Sequence, residues 1–342
     1  MYNIKQVATE KPLVSIIITS YNRAHFIDEA IRSALAQDYE NFEIIISDNS
    51  STDNTDDIVN KYISDPKIKY FKNEVNIGMI PNFKIATEER ARGEFIVYLS
   101  SDDYFVNNRF ISQSVDIITK YKEIFLVFGR VQTILGDAIW ENKKTFPLYK
   151  TEYKKGTEVF LNFPNKASFG WGAALINRKE LNSLNIFRSK ATSVDYEANL
   201  ILMLRGNVGF INEASYMFRI HDSQCSGSKD VETLAENLNY ILTPFNYALK
   251  HNILPLGDLI RFRDQLLLEE CRRISLRFLA LDKKKYVDFM RNIKANYRSV
   301  YYRLIFSAKW NILNFFYRTP SISLNLIKRI NNYHYIFLKS IR

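Results

Sequence analysis

The first hundred residues alternate between short apolar runs and amphipathic stretches, and this alternation restricts the fold more than any other feature. Residues 13–19 form a β-branched run that suits a buried parallel strand. In the next stretch apolar residues recur every three or four positions, as in a helix with one buried face. Further strands are predicted at 42–47, 68–71 and 95–99, with helices between them through 58–62 and over 82–91. This βαβαβαβ order favours a mostly parallel sheet with helices on both faces, in which ligands bind at the carboxyl ends of the strands.

The rest of the chain has a weaker pattern. Helices are predicted at 115–121 and 196–204, strands at 125–131 and 173–176, a strand pair at 208–211 and 215–220, and irregular structure at 136–155. From about residue 230 the pattern is helical. A chain of 342 residues is longer than a typical single domain. We therefore predict an α/β domain over residues 1–225 and a helical C-terminal region over residues 226–342.

Two polar clusters follow predicted strands. Asp102 and Asp103 come directly after the strand at 95–99, and adjacent carboxylates repel each other, which a divalent cation relieves by taking oxygen ligands. The same pair would also suit a cap of the next helix. The second cluster surrounds Asp48 and is rich in Asp, Asn, Ser and Thr, so it is either a ligand-binding loop or an Asx turn.

The net charge of +10 lies in the C-terminal region. No acidic residue follows Asp288, and the excess equals the ten basic residues found there: Arg291, Lys294, Arg298, Arg303, Lys309, Arg318, Lys328, Arg329, Lys339 and Arg342. Aromatic residues are interleaved with them, a combination that suits the interface of an anionic membrane. A helical subdomain with solvated Lys and Arg is the alternative. We expect no nucleic-acid partner, because the chain has no recognised nucleic-acid module.

Other features indicate the compartment and narrow the class of protein. Cys225 and Cys271 have no metal-ligand spacing, which favours a reducing compartment, and no signal peptide or membrane span is visible, so we predict a cytoplasmic protein. A dinucleotide-binding dehydrogenase is excluded because residues 20–24 contain no glycine. A nucleotidyltransferase usually opens with a glycine-rich basic loop, also absent here, but it stays an alternative.

Five segments in order carry a resemblance to a known family: Pro12–Arg23, Ser47–Thr55, Asn76–Gly78, Gly93–Ile96 and Ser101–Asp103. Together they resemble the family 2 glycosyltransferases of GT-A fold, over roughly residues 12–222. The resemblance implies a Rossmann-like GT-A domain that binds a nucleoside diphosphate sugar. The last third of the chain resembles no family that we can name.

The resemblance also assigns roles to residues of the nucleotide site. It places Thr19, Tyr21 and Asp48 at the base and ribose, with uracil as the usual base. We also place Asn82, at the start of the third predicted helix, among the nucleotide-binding residues. Asp102 is expected at the ribose or donor sugar. Asp103 is expected to bind Mn²⁺ or Mg²⁺ at the diphosphate. Many members have a further Asp where this chain has Ser100.

Three later segments also resemble parts of the family: two from its acceptor side and one from beside the diphosphate. Phe169–Ile176 resembles the loop and strand beside the acceptor, and Ser193–Glu197 resembles the segment that bears the catalytic base. Asp195 is the predicted base, although Val194 replaces the usual Glu; an Asp placed to suit a helix dipole is the alternative. Met217–Asp222 resembles the strand whose His lies near the diphosphate, so His221 is expected at the metal or leaving group, with a purely structural His as the alternative.

The resemblance therefore implies a metal-dependent, inverting hexosyltransferase. Its donor would be a nucleoside diphosphate sugar, with UDP as the expected nucleotide. The acceptor would be a hydroxyl of a glycan or lipid-linked molecule in the synthesis of bacterial surface polysaccharide or glycolipid. The basic tail would hold the enzyme peripherally on the inner face of the cell membrane. Two alternatives stay open: a non-catalytic membrane-bound scaffold of the same fold, which Ser100 and Val194 allow, and a sugar nucleotidyltransferase.

Overall fold

A computed structural model describes residues 11–141, 150–166, 170–189, 193–221, 236–281 and 283–307. These residues form two compact units. The first contains residues 11–221 together with Lys250–Ile253, and the second contains residues 236–249 and those from Leu254 onward. Phe169, Asp222, Cys225 and the basic and aromatic residues from position 308 lie outside the described residues.

The strands of the first unit are β1 (Val14–Ser20), β2 (Phe42–Asp48), β3 (Ile68–Lys72), β4 (Phe95–Ser100), β5 (Tyr104–Phe105), β6 (Ile124–Leu135), β7 (Ala138–Glu141), β8 (Tyr153–Lys154), β9 (Ala174–Asn177) and β10 (Asn207–Arg219). Its helices are α1 (Ile27–Leu35), α2 (Thr55–Val59), α3 (Met79–Ile85), α4 (Phe110–Lys120), α5 (Gly156–Lys166), α6 (Arg178–Ser183) and α7 (Val194–Arg205). A π-helical turn, Ala86–Arg90, continues α3, and a 3₁₀ turn covers Ile186–Arg188.

The ten strands form one sheet in the order β3-β2-β1-β4-β9-β6-β10-β5, with β7 and β8 paired at its side. The first four strands along this order are parallel, and β9 runs antiparallel to β4 and β6. All but one of the residues of β1 are buried, as expected of a central parallel strand covered on both faces. The predicted GT-A type of α/β sheet is confirmed.

The connections place a crevice between β1 and β4. From β1 the chain moves outward to β2 and β3, then returns to the opposite side of β1 as β4. At such a reversal the loops after the two central strands diverge and leave a ligand site at their carboxyl ends. Asp102 and Asp103 follow β4 at this edge, and Tyr21 follows β1.

The prediction was wrong in two places, and the helix-cap alternative for the acidic pair does not hold. The expected strand pair at 208–220 is one strand, β10, whose pairing with β6 continues across register shifts between Phe210 and Tyr216. Bulges of this kind absorb the polar residues that suggested a break. The stretch 136–155, predicted as irregular, contains β7 and β8. The residues after Asp103 form the short strand β5, not the helix that an Asp cap would begin.

The second unit is helical, as predicted. Its helices are α8 (Asn239–Lys250, whose last residue belongs to the first unit), α9 (Leu256–Leu281), α10 (Lys283–Asn296) and α11 (Arg298–Ile305). Leu259, Phe262, Cys271 and Ile274 are all buried and recur along α9 at helical spacing. Cys271 is a free thiol. Among the helices of the described residues, none combines the length and the apolar character that a bilayer span requires.

Candidate functional site

A cleft of about 440 Å³ lies at the carboxyl ends of the parallel strands. It is lined by residues at or just after the ends of β1 to β4, by α3 and by one residue of β10: Thr19, Ser20, Tyr21, Arg23, Asn49, Asn76, Gly78, Met79, Asn82, Phe83, Ser100, Ser101, Asp102, Asp103 and Phe218. Five of the eight predicted site residues are on this wall. Asp48, Asp195 and His221 are not among the lining residues.

The acidic pair is held by residues from the end of β10. Asp103 is buried, with Oδ2 accepting a hydrogen bond from the Tyr216 hydroxyl at 2.8 Å and Oδ1 accepting one from the backbone N–H of Arg219 at 2.8 Å. Burial, and then the neighbouring charge of Asp102, raise the pKa of Asp103 to about 7. A carboxyl group in this position is poorly solvated and close to a like charge, which is the situation that a bound cation relieves.

Asp102 lies between two basic side chains. Its Oδ2 is 3.4 Å from Nε of Arg23 and 3.0 Å from Nε2 of His221. The ring of His221 also packs on Phe26, with the ring centroids 4.8 Å apart. The structure therefore brings the predicted His221 to the acidic pair, where it contacts Asp102.

The other predicted nucleotide residues differ in their surroundings. Thr19 and the largely exposed Tyr21 line the cleft at the end of β1. Asn82 is buried at the cleft wall and bonds to Ser47, with its Nδ2 2.9 Å from the Ser47 carbonyl oxygen. Asp48 is fully buried, and its carboxylate accepts hydrogen bonds from Ser51 and Tyr70, so it holds the loop after β2.

Asp195 lies in the first turn of α7, half-buried, and burial raises its pKa to about 6. Backbone N–H groups, among them that of Trp171, donate to its carboxylate and oppose this shift. Gly170 passes so close that a Cβ built there would lie 3.0 Å from Oδ2 of Asp195. A carboxyl group with this pKa is ionised at neutral pH and basic enough to accept a proton.

An aromatic cluster connects Asp195 with the cleft. The Trp171 ring stacks on Tyr98, with centroids 4.2 Å apart, and meets the edge of Phe83 at 5.5 Å. Phe83 lines the cleft, while the backbone of Trp171 donates to Asp195. The predicted acceptor-side segment thus lies between the base candidate and the cleft wall.

Sequence reasoning missed two groups of residues. Tyr216 and Arg219 hold Asp103 from 113 and 116 residues farther along the chain, and no local pattern indicates such a contact. The second group contains the amides of Asn49, Asn73 and Asn76, which bond to one another beside the cleft. Their signal was visible, since the asparagines recur just after the second and third predicted strands.

The acidic pair fits a divalent cation that is shared with a phosphate ligand. Among the residues that the structure describes, no cluster of three or more Asp, Glu, His or Cys side chains is placed to hold a metal. Mg²⁺ is commonly bound by one or two carboxylates together with substrate phosphates. Asp102 and Asp103 supply such a donor set. Ser20 Oγ, also at the cleft, is buried with no hydrogen-bond partner in the described part of the chain. A buried hydroxyl without a partner is typical of a wall that a polar ligand completes.

Comparison with protein families gives a match over residues 15–184 to the model described as Glycosyl transferase family 2. TuaG of Bacillus subtilis, a glycosyltransferase named for teichuronic acid biosynthesis, is 38% identical over 221 residues, which are 64% of this chain and 83% of TuaG. WfaP of Escherichia coli, a UDP-Glc:α-D-GlcNAc-diphosphoundecaprenol β-1,3-glucosyltransferase, is 46% identical over 113 residues, 33% of this chain and 44% of WfaP. The chain spans less than half of the length of several such relatives.

Solved structures share the fold at low identity. TarS residues 1–349 of Staphylococcus aureus, in complex with UDP, align with a TM-score of 0.54 and 18% identity over 84% of this chain and 91% of TarS. GalNAc-T7 with UDP, GalNAc and Mn²⁺ aligns with a TM-score of 0.53 and 17% identity, over 75% of this chain and 54% of that one. At these identities the likeness concerns the fold alone.

Proposed function

Because this chain belongs to glycosyl transferase family 2, we propose that it is an inverting, metal-dependent glycosyltransferase that uses a UDP-sugar and a glycan or lipid-linked acceptor. The observation that carries this proposal is the acidic pair, buried Asp103 and partly buried Asp102, at the crevice between β1 and β4. In our proposal residues 1–225 form the catalytic domain and residues 226–342 a helical region that associates with membrane.

The donor would lie across the ends of the strands. With the diphosphate at the acidic pair after β4, the ribose falls at β1 and the base at β2 and β3, in the order of the sheet. Thr19 and Tyr21 would contact the ribose and base from the end of β1, and Asn82 from α3. Asp48 would act through the loop that it holds.

Asp103 would bind Mn²⁺ or Mg²⁺, with Asp102 and His221 beside it. Such an ion stabilises the negative charge that develops on the departing nucleoside diphosphate. Tyr216 and Arg219 N–H fix the two oxygens of Asp103, and Arg23 and His221 hold Asp102. These bonds orient the acidic pair before the donor arrives, so that little reorganisation is needed on binding.

Asp195 would take the proton from the acceptor hydroxyl as that oxygen attacks the anomeric carbon. Its carboxylate is oriented by backbone N–H groups and by the close approach of Gly170. The acceptor oxygen forms the new glycosidic bond while the bond to the diphosphate breaks on the opposite face. A single displacement of this kind inverts the configuration and needs one base, in contrast to the two carboxylates of a retaining hydrolase.

The relatives and the charge distribution support the proposed acceptor and location. WfaP is named for a diphosphoundecaprenol acceptor and TuaG for teichuronic acid, a bacterial glycan. Lys294, Arg298 and Arg303 are exposed and belong to the stretch after Asp288 that lacks acidic residues. Each cation near an anionic membrane contributes about 1 kcal/mol of attraction. This supports a peripheral position on the inner face of the cell membrane, where a lipid-linked acceptor is within reach.

Thermal unfolding with a panel of nucleoside diphosphates, each with and without Mn²⁺, tests the proposal. A ligand that binds the native state raises the midpoint temperature of unfolding. At a ligand concentration of a hundred times its Kd, the free energy of unfolding increases by about 2.7 kcal/mol. We expect a shift with UDP that grows when Mn²⁺ is present. If no nucleoside diphosphate shifts the midpoint under any metal condition, the proposed function is wrong.

A further inference from the structure

A chain of hydrogen bonds connects a partly buried arginine to the rim of the cleft. Arg90, in the π-helical turn after α3, donates from Nη2 to Oδ1 of Asn73 at 2.6 Å. Asn73 donates from Nδ2 to Oδ1 of Asn49 at 3.1 Å, and Asn49 donates from Nδ2 to Oδ1 of Asn76 at 2.8 Å. We call these four side chains, Arg90, Asn73, Asn49 and Asn76, the amide relay.

The direction of the amide relay is fixed by groups that can only donate. A guanidinium has no acceptor, so the atom of Asn73 that faces Arg90 is its oxygen. The backbone N–H of Ile77 donates to Asn49 Oδ1 at 3.0 Å, and that of Gly78 donates to Asn76 Oδ1 at 2.9 Å. Each amide oxygen is therefore held by an obligate donor, and each amide nitrogen points onward along the relay.

The relay ends in a donor at the cleft. Asn76 is exposed and lines the cleft, and its Nδ2 donates to no acceptor within the described residues. Because its oxygen is occupied twice, the amide presents N–H groups to a ligand. A charged donor at the start of such a chain polarises the bonds that follow, which strengthens the last donor.

The sheet order places the Asn76 amide at the end of the nucleotide-sugar site where the base would lie. Asn76 follows β3, and the acidic pair follows β4, three strands away. Neighbouring strands are about 4.8 Å apart, so the two groups are separated by about 14 Å across the sheet. That span suits an extended nucleoside diphosphate with its phosphates at the acidic pair and its base at Asn49 and Asn76.

We propose that Arg90, acting through Asn73 and Asn49, holds the Asn76 amide as a hydrogen-bond donor. This donor selects a base with a carbonyl group at C4, such as uracil, over cytosine, which has an amino group at C4. This inference rests on the nucleotide-sugar function proposed above. Asn76 is then a specificity residue that touches the base, and Arg90 is a positioning residue. Cytosine would set two donors against each other, and a donor that the bound base removes from water without a partner costs about 1–3 kcal/mol.

Isothermal titration of the full chain with UDP and with CDP, both with Mn²⁺, tests the relay. For the wild type we expect UDP to bind at least about tenfold more tightly than CDP. Asn76→Asp replaces the donor by an acceptor at an exposed position, and we expect the UDP-to-CDP preference to disappear or invert. Arg90→Met removes the charged donor to Asn73 Oδ1 and with it the polarisation of the relay, so we expect the preference to fall severalfold.

Arg92→Met is the matched control, because Arg92 is an exposed arginine two positions away that takes no part in the relay. It should keep the wild-type preference. If Arg90→Met fails to fold, Asn76→Asp decides alone. An unchanged preference in Asn76→Asp overturns the inference and leaves the proposed function standing. A wild type that prefers CDP overturns the inference and also the choice of UDP as the donor nucleotide, but not the glycosyltransferase activity. A wild type that binds no nucleoside diphosphate refutes the proposed function, and the inference falls with it.

Discussion

Asp103 and Asp195 are two carboxylic acids of the same unit whose surroundings differ in kind. Burial, and then the charge of Asp102, raise the pKa of Asp103 to about 7. A side-chain donor and a backbone donor from β10 hold its two oxygens. Burial raises the pKa of Asp195 to about 6, and backbone N–H groups donate hydrogen bonds to its carboxylate. One carboxylate lies beside another negative charge, and the other owes its raised pKa to burial alone.

In our proposal this difference prepares the two carboxylates for different tasks. A like charge at close range raises the free energy of the ionised pair, and a cation relieves it better than a single proton does. A lone carboxylate with a pKa slightly below neutrality is suited to exchanging a proton with a substrate. Asp103 is therefore suited to binding and Asp195 to proton transfer.

The substitution Asp195→Asn tests most directly whether Asp195 serves in proton transfer and not in binding. We expect kcat to fall by about 10² to 10⁴, because the acceptor hydroxyl loses its base, while the Kd for UDP with Mn²⁺ stays at the wild-type value. Steady-state kinetics and titration calorimetry measure the two quantities. Glu197→Gln is the matched control, because Glu197 is a buried acid in the same turn of α7 whose Oε2 accepts a hydrogen bond from Ser189; kcat should fall by less than tenfold in this variant. A fall in kcat below tenfold for Asp195→Asn would show that another group is the base.

Asp103→Asn should give the opposite result. We expect the affinity for UDP in the presence of Mn²⁺ to fall by at least about 10- to 100-fold, since that is the loss found when a group that only orients a metal ligand is removed. The affinity for UDP without metal should change little, because the contacts after β1 and β3 persist. Titration of UDP with and without Mn²⁺ distinguishes these results. Equal metal dependence in the variant and the wild type would contradict a metal role for Asp103.

The pH dependence of kcat separates the two carboxylates further. A base must be ionised to accept a proton, so kcat should rise with pH and level off above the Asp195 pKa of about 6. Below that value the ionised fraction, and with it kcat, should fall about tenfold per pH unit. The rate should be measured from pH 5 to 8 at saturating donor and metal. In Asp195→Asn the residual rate should lack this acid limb; a limb that persists would assign it to another group.

Tyr216→Phe should give the smallest effect. The change removes the hydroxyl that donates to Asp103, and a buried oxygen that loses a partner costs about 1–3 kcal/mol. We expect the free energy of unfolding to fall by that amount and the UDP–Mn²⁺ affinity to weaken severalfold, while the acid limb of kcat stays in place. Chemical denaturation and titration measure these effects. A shifted acid limb would show that the two sites are coupled.

Much of the region from β1 to β4 and the cleft at its edge could be predicted from the sequence, because each of its elements is encoded by neighbouring residues. Each strand from β1 to β4 is a short apolar run, and the polar residues that follow each run gather at one edge once the strands are parallel. Thr19, Tyr21, Asp102 and Asp103 were found in this way and by family resemblance, and all line the cleft.

The contacts that hold these residues could not be predicted. Tyr216 lies in a strand that the pattern divides in two, and its partner Asp103 is 113 residues earlier in the chain. Asp48 was expected to touch the nucleotide, but its carboxylate faces Ser51 and Tyr70, so its direct contact stays a prediction. Which way a buried side chain faces depends on neighbours that single-sequence patterns do not reveal.

The long separation between the acidic pair and its partners also affects how the protein is made. Asp103 and Asp102 leave the ribosome more than a hundred residues before Tyr216, Arg219 and His221. A loop of this length closes late in folding, because the chain loses conformational entropy on closure before the new contacts compensate for it. An unfinished chain that ends before β10 would have the two carboxylates without these donors. The acidic pair therefore gains these partners only in a chain that extends through His221, and products that end earlier lack them.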